Sequence, residues 1–262
     1  MRAVRKPIPP TAVRWFHPLK GGLWLLFLLW TAGIAVVWTW NIGDRQLERA
    51  IGNTDLRLTL EWLVRIGDIA WITLAAINVH GSIAASEGLR AARRWALIVC
   101  GGGLVVAAAG ALTGYPFGPI RFGSALGMKL GPVPWGVPLL WYIAVVGARS
   151  IVLRALPRAG GAWVAVATGS LVAITDLNLE PAAGNLRGFW FRLANPPFTP
   201  ASFDPPIMNN GAWFVFGALF AWMLREDRAH PDARSRSWKP VIVLGLLNAV
   251  FVLARLGRIC RG

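Results

Sequence analysis

GGLWLLFLLWTAGIAVVWTW, residues 21–40, runs for twenty positions without a charged side chain. At 1.5 Å per residue a helix of that length measures about 30 Å, the thickness of the hydrocarbon core of a bilayer. Uncharged runs recur at 95–113, 159–175 and 207–224. Only 15% of the 262 residues are charged, against about 25% in an ordinary soluble domain, and 55% are hydrophobic. No stretch alternates with the period of two that a membrane barrel needs. The pattern predicts an all-α, polytopic transmembrane helical bundle that forms a single integral membrane domain over 1–262. About seven spans are expected, near 21–40, 58–79, 95–113, 135–153, 159–179, 207–224 and 240–256. The last is the shortest, with fifteen uncharged residues between Lys239 and Arg255, whose long side chains can snorkel outward. The first run follows Arg2, Arg5, Lys6, Arg14 and Lys20, as a signal peptide would. Its length, and the lack of a small-residue cleavage site, predict a retained span instead.

The basic residues sort by side. Counting residues near a span's end with the loop beside it, the N-terminal arm and the even-numbered loops hold 16 of the 27 Lys and Arg, and the odd-numbered loops with the tail hold 10; Arg65 lies inside the second span. The positive-inside rule then predicts a multi-pass protein of the cell membrane with its N-terminus in the cytoplasm. The net charge of +15 is spread over span ends rather than gathered on one face, so it fits membrane lipid headgroups as partners and argues against nucleic acid.

The residue inventory excludes several chemistries. Cys100 falls inside a span and Cys260 at the tail, so neither a disulfide framework nor a thiolate metal cluster is expected. His17, His80 and His230 stand on separate segments, read as connections, and no two share a helical spacing suited to a metal. No phosphate-binding glycine loop and no GxSxG elbow is present. The expectation is a protein without metal or cofactor.

Acidic residues in or beside the spans are the remaining candidates. Glu61, Arg65 and Asp68 recur at i, i+4, i+7, so Arg65 is expected to pair with both carboxylates. The cluster serves either as an internal structural ion pair or as the polar wall of a substrate or proton path. AITDLNLEP, residues 173–181, places Asp176 and Glu180 one turn apart, with Pro181 expected to end the helix. Two like charges at this spacing, near the negative end of a helix, favour keeping a proton on the pair. Such a pair suits acid/base catalysis; alternatively, the two are interfacial acids solvated at the membrane edge.

The connections flanking these acids are rich in aromatic residues and proline. TGYPFGPIRFGSALGMKLGPVPWGVP, residues 113–138, carries Tyr115, Phe117, Phe122 and Trp135. GFWFRLANPPFTPASFDPPIMNNGAW, residues 188–213, carries Phe189, Trp190, Phe191, Phe198, Phe203 and Trp213. With seven spans both emerge on the side of Asp176 and Glu180. Their prolines and glycines predict ordered caps over the bundle rather than tethers. An interfacial aromatic belt is the plainer alternative.

The run TGYPFG, followed by Gly136, Val137, Pro138 and Trp141, resembles the membrane carotenoid biosynthesis proteins that include the bisanhydrobacterioruberin and gamma-carotene hydratases. Asp176 and Glu180–Pro181 resemble that family's D-x-x-x-D-P, Trp190 its following tryptophan, and Pro206, Asn209 and Trp213 its P-x-x-N-x-x-x-W. The likeness covers about 105–225. The chain has Ile120 and Phe122 where the family pattern has tyrosines, alanines where it has an acid before the TG pair, and Asn210 where it has phenylalanine. The resemblance implies a long apolar carotenoid or other isoprenoid as substrate, with water added to the terminal C=C of an acyclic end group to give a tertiary alcohol. It implies Asp176 and Glu180 as acid and base in either order. Tyr115, Phe117, Trp141, Trp190, Asn209 and Trp213 would hold the substrate, and no cofactor is needed. A non-catalytic carotenoid-binding subunit of a pigment complex, alongside other pathway subunits, is the alternative. A membrane prenyltransferase is a weaker one, since it needs Mg²⁺ between two acidic motifs and one pair is present.

Overall fold

The computed structural model describes residues 16–192, 205–224 and 237–261. Phe198, Phe203, His230 and the basic residues of 1–15 and 225–236 lie outside the described residues. The helices are α1 (Phe16–Thr39), α2 (Asp44–Ala50), α3 (Thr54–Ser86), α4 (Leu89–Ala96), α5 (Gly102–Thr113), α6 (Gly136–Ala155), α7 (Gly161–Asn185), α8 (Pro205–Met223) and α9 (Lys239–Ile259). A π turn over Leu97–Gly101 joins α4 to α5 in one continuous rod. Four short strands complete the described fold: β1 (Ile120–Phe122), β2 (Lys129–Leu130), β3 (Val133–Pro134) and β4 (Trp190–Arg192). Among the described residues, six helices are long and apolar enough to cross a membrane, and Ile207–Met223 is a shorter apolar helix. The chain is therefore a polytopic helical membrane protein, with helices close to the seven expected positions.

Local chemistry sets several boundaries. The Asn53 side chain accepts a hydrogen bond from the Leu56 amide at 3.0 Å and starts α3. Gly114, at φ +77°, ends α5 in the left-handed cap that only glycine takes without strain. Pro181 does not end α7. The helix continues through it to Asn185; proline has no N–H to offer the Leu177 carbonyl, a loss that membrane helices tolerate. Asp176 and Glu180 thus sit inside α7 rather than at its C-terminus, and the helix-end dipole expected there does not act on them.

The central element is α6, which packs against α3, α5, α7, α8, α9 and the π turn. α7 and α8 approach through glycine: a methyl on Gly169 would stand 2.6 Å from the Phe214 carbonyl, and one on Gly217 2.8 Å from Val172. Small residues at such contacts let backbones close in lipid, where van der Waals contact replaces the hydrophobic drive. α1 and α9, the first and last helices described, are neighbours. Trp38 stacks on Phe251 with centroids 5.8 Å apart, and Trp71 and Phe189 meet Trp38 edge-on.

The second-span charges are arranged differently from expectation. Asp68 is 1% exposed, and its partner is Arg187, whose Nε lies 2.8 Å from Oδ2; Trp38 Nε1 donates to Oδ1 at 2.9 Å. Glu61 pairs with Arg57 at 3.6 Å, and Arg65 is exposed. Three residues along a helix turn the side chain by about 60°. That rotation is enough to put Asp68 in the interior and Arg65 outside it. His80 likewise lies inside α3 rather than on a connection, with Nδ1 3.3 Å from the Tyr142 hydroxyl.

Candidate active site

α7 presents Asp176 and Glu180 toward α8. Asp176 is 1% exposed. The Asn209 amide nitrogen donates to both of its oxygens, at 2.9 and 2.8 Å, and reaches Glu180 Oε2 at 3.4 Å. One carboxamide from α8 therefore spans both carboxylates. Its neighbour Asn210 donates to the Ala173 carbonyl at 2.8 Å and to Asp176 Oδ2 at 3.4 Å. Consecutive asparagines on one helix thus fix the rotation of α8 against α7.

Glu180 has a different set of partners. Arg192 places Nη2 at 2.6 Å and Nε at 2.9 Å from Oε1, while Trp190 Nε1 donates to Oε2 at 3.1 Å. Both donors come from β4, where a period of two puts residues 190 and 192 on the same face. β4 pairs antiparallel with β1, Ile120 opposite Arg192 and Phe122 opposite Trp190. The remaining guanidinium nitrogen, Arg192 Nη1, donates to the Phe117 carbonyl at 3.3 Å. Glu180 is therefore a charge-compensated carboxylate, whereas the bonds to Asp176 come from uncharged amides.

Beside the pair lies an aromatic cavity of about 20 Å³, lined by Phe117, Ile120, Phe122, Trp141, Trp190, Asn209 and Trp213 over Ala107 and Val137. Trp141 and Trp213 stack face to face, with centroids 4.0 Å apart and planes 9° from parallel. Phe220 meets Trp141 edge-on at 5.7 Å, and Phe122 meets Trp190 edge-on at 6.4 Å. α5 makes room by turning Gly103, Ala107 and Gly110 to this side. A methyl on Gly103 would stand 3.0 Å from the Trp141 ring, and one on Gly110 2.5 Å from the Phe117 ring. A volume of this size holds about one water molecule. Asp176 and Glu180 stand behind the wall, each one hydrogen bond from Asn209, and Glu180 one from Trp190 as well.

Of the residues singled out in the sequence, Phe117, Trp141, Trp190, Asn209 and Trp213 meet at this cavity, and Asp176 and Glu180 back it. Tyr115 does not join them: it is 58% exposed, beyond the end of α5. Sequence reasoning missed Arg192, although the spacing Trp190-Phe191-Arg192 is a strand signal placing a cation beside a tryptophan already singled out. Asn210 and Ile120 enter the sequence reading only as departures from the family pattern, and Ala107 is not singled out there. Ile120 and Phe122, where the chain departs from the family pattern, line the cavity with hydrocarbon together with Ala107.

The family model described as carotenoid biosynthesis protein matches residues 67–261, a range that contains every residue of the site. The bisanhydrobacterioruberin hydratase of Haloarcula japonica is 34% identical over 113 residues, which are 42% of this chain and 36% of that protein. The aligned part is thus about a third of the length of that relative. No solved structure gives a significant match. With three quarters of its length matched, the chain belongs to the carotenoid biosynthesis protein family.

Proposed function

We propose that the protein is a carotenoid hydratase, adding water across the terminal C=C of an acyclic end group to give a tertiary alcohol. The observation that carries this reading is the single Asn209 amide joining two carboxylates of unlike surroundings, at the edge of an aromatic slot. Asp176, bonded only to amides, donates the proton to the less substituted carbon of the double bond. The π electrons form the new C–H bond and leave a tertiary carbocation. The faces of Trp141, Trp190 and Trp213 stabilise that cation through their quadrupoles. Water forms the C–O bond and loses its proton to Glu180, whose carboxyl group Arg192 and Trp190 hold in place. Return of that proton to Asp176 closes the cycle, and no atom other than those of water is consumed. The cavity as formed admits about one water, so the end group enters by spreading the aromatic wall. In this reading the chain is a multi-pass protein of the cell membrane with its N-terminus in the cytoplasm, and its substrate arrives from the bilayer.

A second reading is favoured by one observation: both carboxylates are fully engaged behind the wall, as in a site that only binds. The protein would then be a carotenoid-binding subunit of a pigment complex. Membranes containing the protein, supplied anaerobically with an acyclic carotenoid in ¹⁸O-labelled water, separate the two. Label in a tertiary alcohol supports the hydratase. In a parallel incubation under ¹⁸O₂ in unlabelled water, label in the product would refute it, and a co-purifying pigment that is never converted would favour the binding subunit.

A further inference from the structure

The Asp68–Arg187 pair lies outside the site, yet the chain connects it directly to the residues that grip Glu180. Arg187 follows the last turn of α7, with its amide bonded to the Ala182 carbonyl at 3.0 Å. Gly188, at φ +61°, turns the chain; the Phe189 amide then returns to the Ala183 carbonyl at 2.8 Å, and β4 begins at Trp190. Both oxygens of Asp68 are taken, one by Arg187 and one by Trp38. The Arg187 guanidinium also lies 5.8 Å over the Trp38 ring, and Phe189 packs edge-on against the same ring at 5.6 Å. On its other side the segment is bound to β1 by the strand pairing and by the Gly123 amide, which donates to the Phe189 carbonyl at 2.9 Å.

We propose that Asp68, Trp38 and Arg187 are positioning residues that anchor the paired strands β1 and β4 to α1 and α3, and so seat Trp190 and Arg192 on Glu180. The two strands carry Ile120, Phe122 and Trp190 of the cavity wall. Anchoring them at one end sets how far the wall opens. This proposal deepens the hydratase reading, because it takes Glu180 and the aromatic cavity as the working site. A buried pair that only stabilises the bundle would behave differently from an anchor. Replacing both members of a buried ion pair with apolar side chains is often neutral or stabilising, whereas removing one partner strands a charge.

Thiol accessibility tests the anchor without any reaction being run. In protein with Cys100 and Cys260 replaced by serine, the Ile120→Cys thiol reports the wall, since Ile120 is 6% exposed. A Val146→Cys thiol in α6, at a position 0% exposed, reports the bundle. The purified protein is treated with a water-soluble maleimide. Arg187→Met and the double variant Asp68→Leu/Arg187→Leu are each expected to speed labelling at Ile120→Cys at least tenfold and to leave Val146→Cys slow. Two results would overturn the proposal: unchanged labelling at Ile120→Cys in both folded variants, or acceleration of both thiols together, which marks general loosening. Because the labelling needs no substrate, a failed hydration assay leaves it intact, and unchanged labelling leaves the hydratase reading standing.

Discussion

Replacing Asp176 with asparagine separates catalysis from architecture, because the two predict losses of different size. The wild-type carboxylate accepts from Asn209 at 2.9 and 2.8 Å. Asparagine keeps the shape and one acceptor oxygen, but its new NH₂ faces a donor. Because one Asn209 nitrogen serves both oxygens, either orientation of the new amide leaves a buried donor unmatched, at a cost of roughly 1–3 kcal/mol of stability. A structural role therefore predicts a less stable protein with near-normal turnover. A general acid predicts more, because the amide has no exchangeable acidic proton to give. Loss of such a group costs about 10²–10⁴-fold in rate, or roughly 2.7–5.4 kcal/mol in the barrier at 1.36 kcal/mol per tenfold. Alcohol formed per folded protein would be measured by chromatography of pigments from membranes, with folding checked by thermal unfolding followed on size exclusion. Near-normal turnover in folded Asp176→Asn protein would refute the catalytic assignment.

Glu180→Gln is expected to lower product formation by at least about tenfold while the fold persists, since the substitution keeps hydrogen bonding and removes the proton acceptor; near-normal product would exclude Glu180 as the base. Gly110→Ala puts a methyl 2.5 Å from the Phe117 ring. Overpacking of this kind costs about 1–3 kcal/mol, so a lower unfolding midpoint and weaker pigment retention are expected together. Trp213→Leu removes one half of the indole stack and should reduce the carotenoid that co-purifies more than it reduces the yield of folded protein, as absorbance against protein will show. Reporter fusions after residues 20, 90 and 158 should register cytoplasm, and fusions after 48 and 125 the opposite side. A cytoplasmic signal at 125 would overturn the orientation.

Much of this molecule was legible in its sequence, for a plain reason: uncharged runs of bilayer length leave few alternatives to a helix. The seven expected positions accordingly fall on α1, α3, the α4–α5 rod and α6 to α9. The i, i+4 spacing of Asp176 and Glu180 needed only helical geometry to be seen. What escaped the reading were contacts made over long chain separations. Arg65 was the nearest cation to Asp68 in the sequence, but the partner is Arg187, 119 residues away. Arg192 carries no local signal of its role, because it lies in a connection whose short strand takes shape by pairing with β1. A stop at Pro181 is what the proline rule predicts for helices in water. In a bundle, neighbouring helices hold the turn beyond it.

The separation between Asp68 and Arg187 also bears on how the chain is made. Ribosomes add about 5–20 residues per second, so Arg187 follows Asp68 by roughly 6–24 seconds. During that interval α3 enters the bilayer carrying an acid whose cation does not yet exist. An aspartate at the middle of a span costs about 2.5–3.5 kcal/mol on insertion scales. Trp38, synthesised thirty residues earlier, offers a hydrogen bond but no charge. The newborn helix is thus marginally soluble in lipid until the far end of α7 is made, and α1 and α3 have reason to remain beside the translocon until then.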